Sequence, residues 1–424
     1  MANTILNPSI IAKAAVRILD NELVMANRVY RGYEDEFGKK VNGYDVGDTI
    51  TIRKPNQFTV RSVIGATPQD TTEGKLTMVA NQVRGVDFTF TSTQLTLNIS
   101  ELADRVIKPA MVQLANAIDV AVMNEFFRIH NWVGQPATGA DAPIDSFAKF
   151  ARAAERLDQS ACPQDDRSAV LSPESNWALA GSQTALFLQS VGQPAYRTGE
   201  IGTIGGVATY MSQNVPTFTA GTGADAAAQI DGAAQNVTYA TVLNSESVPG
   251  TQTLNLKGFG ASVLTIPKGT VFTIANVFAV NPVTKAALPF LQHFTVLVDA
   301  NSVVTTGLAA VTISPAIITS GPFQSVSAVP ADSAAVTIAG GASVAYRQNM
   351  MFHKNAFALA MVPMVKPAGA VDVARETYKG ISVRLIPYYD GTNDVSNWRC
   401  DVLFAVKTVD PRLAVRITGG ASTI

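Results

Sequence analysis

Near the N-terminus, apolar side chains recur at steps of three or four. Ile11, Ala15, Leu19, Leu23, Ala26 and Tyr30 fall on one stripe, which predicts an amphipathic helix. Asn7 followed by Pro8 marks its start, because proline lacks an N–H where the first turn has no use for one. After Gly38 the period drops to two. Thr49 to Ile52 alternate, as do Val86 to Thr91, so strand arms are expected over residues 48–63 and 83–97. Residues 65–80 between them are polar and turn-rich, with Pro68, Gly74, Asp70, Glu73 and Lys75. The pattern predicts a long two-stranded excursion with a solvated tip, and such a ribbon is marginal by itself in water.

The helical period returns with Ile107, Met111, Leu114, Ile118, Val122, Phe126 and Ile129, where Ser100 can cap and Pro109 marks a kink or the first turn of a fresh helix. A helix over residues 108–127 would run roughly 30 Å, enough to act as a beam for a small domain. Phe147, Phe150, Ala151, Ala154 and Leu157 predict one face of a further helix. A strand at 168–171 should follow, and Ser172 with Pro173 signals another helix start. Late in the chain, residues 379–389 and 398–409 are strand-like around Asp390-Gly391-Thr392-Asn393-Asp394, which predicts a closing antiparallel hairpin. The tail after Pro411 carries Arg412 and Arg416 and ends in small residues expected to fray.

Composition changes the picture most between residues 217 and 345. These 129 residues hold three Lys, five Asp plus Glu and no Arg, and are rich in Thr, Val, Ala, Ser and Gly in short runs such as 270–275, 294–298 and 334–339. That is the signature of a compact all-β module, sandwich or barrel. Helix-capable, charge-bearing sequence on both sides makes it read as an insertion. Over the whole 424 residues, 47% are hydrophobic and only 15% charged, against roughly 25% charged in an average soluble protein. A net charge of −1, from 32 basic and 33 acidic residues, gives no electrostatic footprint for gripping nucleic acid or an anionic membrane. Two cysteines, Cys162 and Cys400, build no disulfide framework and suit a reducing cytoplasm. The first residues read as no signal peptide, and no stretch approaches the roughly 18 apolar residues that cross a bilayer.

Catalytic chemistry finds little support. G-x-S-x-G, G-x-x-x-x-G-K-[ST] and H-E-x-x-H are missing. Gly199, Gly202, Gly205 and Gly206 have the wrong spacing for a dinucleotide loop and read as a turn before a strand at 207–212. Ser146 and Lys149 match S-x-x-K without its companion motifs. His130, His293 and His353 stand far apart with no ligand spacing, so core or surface histidines are expected. Asp165 with Asp166, and Asp390 with Asp394, could hold a hard cation, but turn-forming carboxylates are the plainer reading. Asn98 and Asn236 begin formal glycosylation sequons that mean nothing without export, and Lys39-Lys40 is an isolated basic pair. No catalytic, cofactor-binding or metal-binding residue is therefore nominated, and no cofactor is expected.

The order of elements is then an N-terminal helical arm, a long two-stranded loop, a spine-like helix, a mixed α/β core and a closing hairpin. The local sequence adds Met1-Ala2-Asn3-Thr4-Ile5-Leu6, Gly47-Asp48-Thr49 leading to Ile52-Arg53-Lys54-Pro55, and Lys108 before Pro109-Ala110-Met111. It also adds Gly205-Gly206-Val207, Tyr210 to Pro216, Lys268 to Ala275, Val280 to Lys285 and Phe352 to Ala360. Together these resemble the major capsid (coat) protein of tailed double-stranded-DNA bacteriophages, in the short-tailed-phage subfamily with an inserted domain.

The resemblance implies an α+β tailed-phage capsid fold. Its expected parts are an N-terminal arm (1–38), an extended β loop (39–98), a spine helix with the first part of the α/β core (99–216), an inserted immunoglobulin-like all-β domain (217–345) and the rest of the core with the hairpin (346–424). It also implies a non-enzymatic subunit that associates with itself in pentamers and hexamers to form an icosahedral shell. Scaffolding protein and portal would be its partners, and the shell would enclose double-stranded DNA without sequence-specific binding, in a virion assembled in the host cytoplasm with no membrane partner. Arg61, Asp70, Glu73 and Lys75 at the loop tip are the candidates for intersubunit ion pairs. The alternative is an exported β-rich adhesin or carbohydrate-binding protein, which would leave the long helices before residue 190 without a use. A hydrolase is the weaker rival for want of a nucleophile and base.

Overall fold

A computed structural model describes residues 8–37, 40–41, 44–45, 49–60, 64–65, 68–69, 71, 73–91, 106–134, 140–183, 202–248, 250–367 and 373–420. The chain divides into two compact units. One comprises residues 1–50, 78–123 and 357–407, the other 51–77, 124–356 and 408–424.

In the first unit, helix Pro8–Glu22 buries Ile11, Ala12, Ala15, Val16 and Leu19. It stops earlier than the apolar stripe suggests. Asn27 Nδ2 donates to the carbonyls of Asp20 and Leu23 (2.8 and 3.1 Å), while the buried carboxylate of Asp119 accepts from the amides of Val24 and Ala26 (2.8 and 2.9 Å). Side chains thus supply what the next helical turn would have supplied. Leu23, Met25, Ala26 and Val29 stay buried in turns, and Tyr30 instead bridges strand Phe357–Val362 in parallel. Asn7, the expected cap, lies outside the described residues.

The long α-helix runs Lys108–Met123 and is entered from a helical turn at residues 106–107, with Pro109 where the two meet. Met111, Leu114, Ile118 and Val122 face the core as expected, but the α-helix ends at Met123 and a 3-10 turn, Asn124–Arg128, replaces its last stretch. There Arg128 Nε meets Glu125 at 3.0 Å, and Phe127 gives its carbonyl to the Thr295 hydroxyl (2.8 Å). The Ser100 cap lies outside the described residues.

The predicted hairpin is present as Ile381–Asp390 and Val395–Thr408. Asp390 accepts from Thr392 N and Asn393 Nδ2, and Asp394 accepts from the Tyr389 hydroxyl. These carboxylates build the turn. The second strand arm expected at 83–97 is observed as Gln82–Thr91, and its partner is Val395–Thr408, in register from Gln82↔Phe404 to Thr91↔Val395. Phe88 stacks on Trp398 across that pair. Alternation identified the strand, but it carries no information on which strand it joins.

In the second unit one six-stranded mixed sheet has the order Trp132–Val133, Ala414–Ile417, Asn349–His353, Arg167–Leu171, Val207–Met211, Thr203–Ile204. Gly205 and Gly206, both at positive φ, form the tight turn between the last two. Helices Phe147–Gln159 and Pro173–Gln183 cover the sheet through Phe150, Ala153, Leu157, Leu179 and Ala180. Phe147 is exposed, and Ala153 rather than Ala151 belongs to the buried stripe. The tail after Pro411 forms strand Ala414–Ile417 between two neighbours, with Arg416 fully buried, while residues 421–424, among the small residues expected to fray, lie outside the described residues.

The charge-poor segment forms an antiparallel sheet ordered Gln229–Ile230, Gln252–Lys257, Ala309–Ser314, Ala287–Val296, Val271–Val280, Val336–Ile338. Gln229 bridges Ala335, Ile230 N donates to Ala334 O and Val336 N donates to Ala228 O, so the sheet closes on itself. Leu254, Leu256, Phe272, Ile274, Phe294, Val311 and Ile313 fill its interior. Of the two architectures that composition allowed, this is the barrel. The immunoglobulin-like expectation, two facing sheets, is not what the strand order describes. Entry and exit strands Thr217–Thr219 and Ala345–Arg347 pair antiparallel, Thr217 opposite Arg347.

Candidate functional site

The excursion is shorter than the sequence pattern suggests. Strand Thr49–Arg53 pairs with Lys75–Val79, inside what was expected to be the solvated tip. Farther out, the Gln69 side chain ties the two limbs together. Gln69 Nε2 donates to Thr59 O (2.6 Å), and Gln69 Oε1 accepts from the Thr59 amide (2.9 Å) and hydroxyl (3.2 Å). The resulting arm presents Phe58, Val60 and Ile64 outward, the last two 100% exposed. Single exposed apolar residues need no explanation, but three on one short polar loop do.

Of the four candidates for intersubunit ion pairs, Arg61 and Asp70 lie outside the described residues. Glu73 accepts from Arg53 Nη1 of its own chain at 3.3 Å, with both side chains well exposed, a pair of the kind worth ~0–1 kcal/mol. Lys75 has an exposed side chain, and its amide donates to Asn244 Oδ1 (3.2 Å). Glu73 and Lys75 lie at the arm's root, not its tip.

The root holds the residue that charge reasoning passed over. Lys54 is only 3% exposed. Its Nζ donates to the carbonyls of Ser245 and Ser247, both at 2.8 Å, and its amide donates to Gly74 O at 2.8 Å. Burial pushes the ammonium down to about 8. Gly74 is there because nothing larger fits: a Cβ would stand 2.1 Å from the Leu243 carbonyl oxygen. Lys285 reaches the same arm from the turn between two barrel strands, donating from Nζ to Gln57 Oε1 (3.2 Å) and to Pro322 O. The sequence signal was slight, a lysine before Pro55 at a strand end.

Conventional chemistry is held in structural roles. All three histidines are buried. His293 Nδ1 accepts from Trp132 N (3.3 Å), and His353 Nδ1 from Asn355 N (3.2 Å). Desolvation drives His130 down to about 3, against the opposing pull of Asp410. A pocket opens beside His130, Asn131, Ser160, Phe290 and Arg412. Its histidine is neutral, and Asp410 already binds its arginine bidentately (2.7 and 3.0 Å). Burial raises the thiols of Cys162 and Cys400 to about 11 and about 12, which keeps them protonated. Among the described residues no three His, Cys, Asp or Glu side chains gather as metal ligands, and no helix is long and apolar enough to cross a membrane.

In comparison with known proteins, residues 2–419 fit the model of the P22 coat protein family (gene protein 5). A major capsid protein of Acyrthosiphon pisum secondary endosymbiont phage 1 is 24% identical over 400 residues, 88% of this chain and 90% of the relative. Among solved structures, that of Mycobacterium phage Che8 aligns over 93% of this chain and 90% of its own at 14% identity, with a TM-score of 0.46. The CUS-3 coat protein I-domain aligns over 27% of this chain and 97% of its own at 28% identity, with a TM-score of 0.18.

Proposed function

Because the chain belongs to the P22 coat protein family, and is thus a phage major capsid protein whose copies self-associate into the shell of the virion, we propose that this shell is icosahedral and built of pentamers and hexamers. A scaffolding protein guides assembly in the host cytoplasm, the shell forms around a portal, and double-stranded DNA is packed inside without sequence-specific contacts. The role is structural, with no reaction catalysed.

The observation that carries the reading at residue level is the arm. A solvated loop that exposes Phe58, Val60 and Ile64 gains by burying them, at about 25 cal/mol per Å² of apolar surface, and a neighbouring copy is the surface always at hand. Arg61 and Asp70, on the same loop, are proposed to add ion pairs there. Residues 217–345 act as an inserted domain, a reading supported by the pairing of Thr217–Thr219 with Ala345–Arg347, which brings entry and exit side by side. A net charge of −1 suits a container wall, since tight DNA binding would hinder filling and release.

Negative-stain electron microscopy tests this. Co-expression with the scaffolding protein should give closed shells, and its omission spirals, tubes or irregular shells. Replacing Phe58, Val60 and Ile64 together by Ser should leave the circular dichroism of the subunit unchanged and abolish shells. Uniform small particles at every salt and protein concentration would overturn the assembly reading. Normal shells from the triple variant would overturn the arm's part in it.

A further inference from the structure

The arm's root is fastened more firmly than a surface loop requires, and several of its fastenings lead to the barrel. Lys54 crosses from the arm to Ser245 and Ser247, Lys75 N to Asn244, and Gly74 lies against Leu243, while Lys285 reaches back from the barrel to Gln57. The receiving segment is itself locked. Ser245 Oγ donates to Val242 O (2.6 Å) and accepts from Thr251 N (2.9 Å), the Ser247 hydroxyl meets that of Ser314 (2.8 Å), and Val242 packs with Ala316, Ile318 and Phe323. Lys285 is equally fixed, because Asn281 Oδ1 accepts from Val283 N and Thr284 N, and Asn281 O accepts from Lys285 N.

Few lysines were free for this. The segment from 217 to 345 has three in 129 residues, and one of them is committed to the arm. A buried ammonium ending on neutral carbonyls brings no Coulombic return to offset its desolvation, so bulk stability is a poor account of it. What it does provide is direction: one Nζ donating at 2.8 Å to the carbonyls of Ser245 and Ser247, with Gly74 too close to Leu243 for a Cβ to fit, restricts the angle at which the arm leaves.

We propose that Lys54 and Lys285 are positioning residues that fix the angle at which the arm leaves the barrel, so that the barrel decides where the arm tip meets a neighbouring subunit and thereby the geometry of the shell. The inference rests on the reading of the chain as a shell subunit whose arm contacts its neighbour. In it the inserted module acts as a jig for the arm, apart from anything it touches with its own outer surface.

The test uses the full chain in two states, free subunit and shell co-assembled with the scaffolding protein. Lys54→Met removes the two Nζ bonds, Gly74→Ala forces the limb off Leu243 while keeping every polar group, and Lys285→Met frees Gln57. Lys257→Met, which removes a lysine paired with Asp332 elsewhere on the barrel (2.8 Å), is the control. In free subunits, amide exchange at residues 54 and 75 should speed by about tenfold or more in Lys54→Met and Gly74→Ala, with the sheet of residues 349–353 unchanged, as expected for a local opening. In assembly these variants and Lys285→Met should give shells of mixed size, or open sheets, at undiminished yield of assembled protein.

Faster exchange across the whole unit together with fewer but uniform shells would mean a merely structural role and would overturn the proposal. So would local opening with shells of normal size. If the wild-type chain forms no shells, the failure belongs to the assembly reading, and the exchange data still judge the clasp.

Discussion

Arg416 is a cation wholly inside the protein that pairs with no carboxylate among the described residues. Its Nη1 donates to Gly269 O (2.9 Å), its Nη2 to Ile129 O (2.7 Å), and the guanidinium lies 5.3 Å from the Trp132 ring centroid and 5.7 Å from that of Phe126. Burial lowers it to about 9, still charged at neutral pH. Backbone carbonyls and aromatic faces replace hydration, which demands this planar fork and no other side chain. Arg416→Ala leaves two buried carbonyls unpaired and a void between rings, so it should cost about 3 kcal/mol or more in urea unfolding. A loss under about 1 kcal/mol would show the site to be solvated. None of this could be read from a tail with arginines four apart, because spacing locates a helical face and says nothing of a strand that enters a sheet formed by distant sequence.

At the scale of elements, local periodicity did well where an element answers to its own neighbours in sequence. The helices at Pro8, Lys108 and Phe147 follow their apolar periodicity, and the helix at Pro173 and the hairpin around Asp390 lie where Ser172-Pro173 and the turn residues place them. It failed where a distant group intervenes. The first helix ends because Asp119, nearly a hundred residues later, takes its successor amides, and the arm shrinks because Gln82–Thr91 is claimed by Val395–Thr408. The arm's clasp was illegible for the same reason, since Lys54 and Ser247 have no reason to be associated in one dimension. Gln69 is a tie internal to the arm, and its loss is testable by itself. Gln69→Ala should raise exchange of the Thr59 amide by about fivefold, equivalent to about 1 kcal/mol of local opening, with global unfolding unchanged. An unaltered Thr59 rate would mean that the limbs hold together without it.

For the whole molecule, pH should pull the two units in opposite directions. Asp119, in the first unit, is raised by desolvation to about 6 although three backbone amides favour its ionised form. Its folded state binds the proton more tightly than the unfolded state, so the stability it contributes is complete below pH 3.8 and is lost as pH rises through about 6. His130, in the second unit, is lowered to about 3, so its contribution is complete above about 6.5 and is lost as pH falls toward 3. Moving from pH 7 to 5 should therefore stabilise the first unit by about 1 kcal/mol through Asp119 and destabilise the second by about 2 kcal/mol through His130. Hydrogen exchange corrected for intrinsic rates reads both. Asp119→Asn should remove the gain from one unit and His130→Phe the loss from the other. Equal slopes in wild type and variants would refute the assignments.

The closed ring of the barrel matters most when copies crowd together. In a growing shell the modules of adjacent subunits sit at very high local concentration, where a bare strand edge would zip onto any other edge in whatever register it first met. Because Gln229–Ile230 and residues 334–336 join the ring, the two ends of the strand order cover each other, and encounters there are left to side chains, individually weak and demanding of fit. A subunit that arrives in the wrong orientation can let go and try again, and the lattice anneals instead of freezing its mistakes.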